Sequence, residues 1–99
     1  MTELTNINIF DKISVRIIKE QELIIGPVAW DEARKVSGFN IINQKTGEVS
    51  FTGDAKEILN KLVDQYAKLF GRASNEVCKE VVQDLVAELP AGDVPSSLK

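Results

Sequence analysis

From Asp54 to Leu89 the apolar positions fall on two helical faces that are out of phase. At about 100° per residue, Ala55, Ile58, Leu59, Leu62, Val63, Tyr66, Leu69 and Phe70 share one arc about 140° wide. Val77, Cys78, Val81, Val82, Leu85, Val86 and Leu89 would centre about 120° away if the helix continued without interruption. A straight helix would aim its two halves at different neighbours. The slip falls at Gly71-Arg72-Ala73-Ser74, where glycine is a poor helix former and serine a good N-cap. The pattern therefore predicts two helices joined by a tight turn, the second with an apolar arc near 180°, wider than the ~100° stripe a surface helix needs.

Upstream, Phe10, Ile13, Ile17, Ile18, Ile24 and Ile25 share one helical arc, with Asp11, Lys12, Arg16, Lys19, Glu20 and Glu22 off it. Ile13, Val15 and Ile17 also alternate as a strand would, but the longer helical phase outweighs three positions. Gly26-Pro27 ends this helix, and proline suits the first position of the next, over Pro27 to Ser37. Asp31 and Glu32 then lie near its positive end and Arg34 and Lys35 near its negative end, the order the macrodipole favours. Gly38 follows as a C′ residue.

Phe39 to Asn43 and Glu48 to Thr52 read as two strands around the turn Gln44-Lys45-Thr46-Gly47. Such a hairpin is marginal alone and must pack on the helices or pair with another chain. Asp54 and Glu57 are spaced like a capping box for the third helix. Residues 1–6 read as a frayed start, and 90–99, rich in turn formers, as a disordered tail. The predicted architecture is mainly α, α+β by strict count: one domain over 1–89, four helices with a central β-hairpin at about 39–52, in the order α-α-β-β-α-α.

With 99 residues, 43% apolar and 27% charged, the chain is an ordinary globular domain. No apolar run approaches the ~20 residues that cross a bilayer, and the start lacks the pattern of a secretory leader. The single cysteine, Cys78, has no internal partner, so nothing requires an oxidising compartment and a cytoplasmic location is expected. The net charge is −3 and the basic residues are dispersed. The densest basic window, Lys56 to Arg72, is interleaved with acids: Glu57 with Lys61 and Asp64 with Lys68 are favourable i,i+4 pairs. Neither nucleic acid nor membrane is an expected partner.

The chain has no histidine, which removes the commonest general base, the Ser-His and Cys-His pairs and most zinc sites. The glycines form no phosphate-binding loop. No catalytic residue, cofactor or metal is therefore expected. Cys78, beside Val82 on an apolar face, reads as a small core hydrophobe rather than a thiol sensor.

The candidates that remain concern binding. Val77, Val81, Leu85 and Leu89 carry the wide face of the last helix, and Glu76, Glu80, Asp84 and Glu88 recur at every fourth residue beside it. An apolar face flanked by an acidic row suits a docking surface, for a second copy of the chain or a basic partner. Trp30 lies toward the edge of its helix's apolar arc, where a core-edge position is the commoner case, and the alternative is an interface anchor, tryptophan being enriched at hot spots. These features predict a small non-enzymatic interaction or regulatory module, homodimeric through its C-terminal helix. One alternative is a winged-helix-like DNA-binding regulator reading with the helix after Ala29 and a hairpin bearing Lys45, against which stand the acidic balance and Asp31 and Glu32. Another is a carboxylate-based enzyme or small-ligand domain, with Tyr66 or Lys68 as participants.

Overall fold

The computed structural model describes residues 9–98, so the frayed start expected at residues 1–6 lies outside the described residues. The first helix, α1 (Ile9–Ile25), buries Ile13, Ile17 and Ile18 together with Ser14 and Gln21. Helical phase thus prevails over the three-residue alternation at Ile13, Val15 and Ile17. Gly26, at φ +85°, closes the helix with its amide on the Glu22 carbonyl. Pro27 leads into α2 (Val28–Arg34), which buries Ala29, Trp30 and Ala33.

Regular helix ends three residues before Ser37. Tighter bonds, Lys35 N to Glu32 O and Val36 N to Ala33 O, wind the chain down instead. This brings Val36 and Phe39 both into the core. Gly38 is required at the corner: its φ is +88°, and a Cβ there would stand 2.8 Å from the Thr52 carbonyl and 2.9 Å from Ile58 Cδ1.

The hairpin, β1 (Phe39–Asn43) with β2 (Glu48–Phe51), pairs Phe39 with Phe51 and Ile41 with Val49. Those four form its inner face, and the two phenyl rings meet edge-on at 5.4 Å. On the outer face the Asn40 amide donates to Ser50 and Thr52 hydroxyls. The register slips between Ile41 and Asn43, and the residue skipped, Ile42, is exposed. Asn43 organises the turn by accepting from the Lys45 amide at 3.0 Å.

Asp54 caps α3 (Ala55–Phe70), accepting from the Lys56 amide at 2.9 Å. Gly71, at φ +89°, makes the reversal predicted between the two out-of-phase faces. The glycine itself holds the N-cap position of α4 (Arg72–Val81), so Ser74 lies inside the first turn rather than capping it. The single long final helix expected from the pattern is broken at Val82 (φ −114°, ψ 9°) and resumes as α5 (Gln83–Val86), giving five helices instead of four. Two consecutive β-branched residues weaken the helix there. The Arg16 guanidinium then donates to the Val81 carbonyl at 2.9 Å and to Asp84 Oδ1 at 3.0 Å.

Residues 90–98, expected as a disordered tail, carry two 3-10 turns, at Ala91–Asp93 and Ser96–Leu98. Asn60 Oδ1 accepts from both the Ser97 amide (3.0 Å) and its hydroxyl (2.6 Å), and Lys56 Nζ donates to the Gly92 carbonyl at 2.8 Å. Pro95 and Leu98 are buried, the latter against α3 and α4. The tail thus supplies part of the cover that the apolar face of α4 needs.

Candidate functional site

Helices α1 and α4 run antiparallel. Arg16 meets Val81 and Asp84, Gln21 meets Cys78, and Ile24 and Ile25 come beside Ala73 and Val77. The middle of this seam is closed. Gln21, itself buried, donates from Nε2 to Cys78 Sγ at 3.6 Å, and burial pushes the thiol up to about 11. A thiol so protonated and covered is a poor nucleophile. Tyr66 is fully buried and donates to the Ala29 carbonyl at 2.6 Å; burial raises its pKa, so it stays a neutral donor.

At the end of the seam the cover runs out. Phe70, one turn beyond Tyr66 on α3, is 44% exposed, and Ile24 near the end of α1 is 60% exposed. Together with Gln21, Ile25, Ala73, Ser74 and Val77 they line an apolar pocket of about 140 Å³. Leu23 and Leu69, the preceding residues on the same two helices, are also exposed. Ser74 Oγ is buried beside this pocket without a hydrogen-bond partner. Helix ends place these residues: α1 stops at Gly26 and α3 at Gly71, and a Cβ on either glycine would meet open space.

The predicted interface residues divide. Trp30 is 2% exposed and belongs to the core, so it offers no surface anchor. Leu85 is buried as well, and Val81 and Leu89 are half-buried against the core. Val77 alone among the four reaches the open pocket. Glu76, Glu80, Asp84 and Glu88 are all exposed, but the break at Val82 interrupts their spacing, and Asp84 is paired with Arg16. The sequence reading missed Ile24 and Phe70. Their arcs mark them as apolar, and only the lengths of neighbouring elements expose them.

A second depression of about 800 Å³ lies between α1 and β2, with Val15 and Val49 on its floor and Lys12, Lys19, Glu20 and Glu48 on its walls. Burial raises the Asp11 carboxyl at its rim. On α2, Arg34 donates to Asp31 and Gln44, and Lys35 donates to Glu32. The Gln65 and Lys35 hydrogen bonds hold Glu32 below the usual carboxylate range. Among the described residues no cluster of three or more Cys, Asp or Glu could hold a metal ion, and no helix is long and apolar enough to cross a membrane. Comparison with protein-family models, characterised proteins and solved structures gave no match to this chain.

Proposed function

We propose that this protein is a small non-enzymatic protein–protein interaction module whose docking face is the apolar end formed by α1, the close of α3 and the start of α4. The observation that carries the reading is the exposure of Ile24 and Phe70, which line one apolar pocket together. Contiguous exposed apolar surface on a small domain marks a contact site, and a pocket beside a protruding ring is the form that interface hot spots take. The acidic residue Glu76 borders this face and contributes to orientation more than to affinity.

A photo-crosslinking side chain placed at Ile24, with a control at Glu57 near the opposite end of α3, tests the reading in cells. The expected result is a discrete adduct from position 24, absent from position 57 and lost when Phe70→Glu is added. Adducts of equal yield at both positions, or none at position 24, would remove the docking face.

A further inference from the structure

A second surface, separate from the apolar end, is covered by the chain itself. We propose that the groove between α3 and α4 beneath residues 90–98 is a receptor for a short Pro-x-x-Leu turn. The tail is its tethered occupant, displaced when another polypeptide brings a turn of the same kind. The contacts that hold the tail are those of a bound peptide rather than of a packed helix. Pro95 and Leu98 are both buried, and a single 3-10 turn joins them, closed by the Leu98 amide on the Pro95 carbonyl at 2.9 Å. Such a turn eclipses positions three apart, so the two anchors share one side, and Ser96 between them is exposed.

The backbone of the segment is read by α3. Asn60 Oδ1 accepts from the Ser97 amide at 3.0 Å and from its hydroxyl at 2.6 Å, and Lys56 Nζ holds the Gly92 carbonyl at 2.8 Å. Lys56 and Asn60 are four apart and so lie on one face of the helix, and together they fix the direction in which the segment runs. Asparagine is a poor residue for a helix interior, yet Asn60 stands inside α3 with its side-chain oxygen committed to the tail. Residues 90–93, which link the turn to the rest of the chain, are exposed. A segment anchored through two side chains of one helix and a pair of buried residues opens ahead of the whole domain.

Fluorescence anisotropy of a labelled peptide of residues 90–99, added to the full chain, tests the proposal, with circular dichroism to verify the fold of each variant. Leu98→Asp puts a charge where the tail is buried and so drives the tail out of the groove. This variant should bind the peptide saturably, and the wild type should bind it about tenfold more weakly or worse, because its own tail competes. Adding Asn60→Ala to Leu98→Asp should weaken binding by about tenfold through loss of the paired hydrogen bonds. A peptide bearing the same Leu98→Asp change should not bind. Ser97→Pro removes the amide that Asn60 accepts, and it releases the tail by a second route should Leu98→Asp fail to fold. Absence of binding to the released chain at millimolar peptide overturns the proposal. Equal affinity for the wild type, or indifference to Asn60→Ala, also overturns it, since either result places the peptide elsewhere. Unfolding of both released variants overturns it too, because the groove would then be core with no existence apart from the tail.

Discussion

Tyr66 and Phe70 lie one helical turn apart on the same arc of α3, and they meet opposite fates. Tyr66 is fully buried, with its hydroxyl on the Ala29 carbonyl, whereas Phe70 is nearly half exposed. Nothing in their local pattern separates them. The difference arises across the interface: α1 stops at Ile25 and the chain turns at Gly26-Pro27 into α2, whose first turn covers Tyr66. Helix α3 then runs one turn past that cover. The periodicity of a helix tells which residues want burial, and the length of its neighbour tells which receive it.

The sharpest way to break this comparison is to truncate both rings. Tyr66→Ala should cost about 3–5 kcal/mol and Phe70→Ala about 1 kcal/mol or less, measured by urea unfolding of dilute protein. Equal costs would mean that Phe70 is core and the patch is not a surface.

Leu98 sharpens the comparison from the other side, since the tail supplies cover that no helix provides. Leu98→Ala should destabilise by about 2–4 kcal/mol; an effect near zero would show that the tail does not close over α3 and α4.

The buried seam has a pH signature that the open end lacks. Cys78 is held protonated up to about 11, above its ordinary 9.0. Between those values the unfolded chain loses a proton that the native state keeps, so stability falls as pH rises. The contribution is fully present below pH 9, and the loss amounts to about 2 kcal/mol by pH 11. Chemical denaturation across that window should show the loss, and Cys78→Ala should flatten it relative to the wild type. Identical profiles would place the thiol in contact with water.

The smallest effect concerns the break at Val82. Arg16→Gln removes the guanidinium from the Val81 carbonyl and from Asp84, a contact that is largely solvated. It should cost about 0.5–1 kcal/mol at low salt and less at high salt. A salt-independent loss would mean that the carbonyl contact outweighs the ion pair.

Much of the fold was legible. The element order, the turn at Gly71 and the corner at Gly38 follow from periodicity and from the placing of the glycines. The candidate site was legible only in part. Val77 was found because its arc is apolar, and Trp30, at the edge of its arc, read as core edge or as anchor until what lies opposite decided for the core. At the break near Val82 the Val81 carbonyl accepts from an arginine 65 residues away in the chain, a contact that no local window contains.

By itself, the sequence determined which residues seek cover, the hand and phase of each helix, and where the chain must turn, because these follow from backbone sterics and the spacing of apolar side chains. Tertiary structure alone decided how far each face is covered: that Tyr66 closes and Phe70 opens, that the tail returns to bury Leu98, and that α4 and α5 both pack on α1. Burial is a relation between elements, fixed by their lengths and crossings, and it is therefore absent from any one of them.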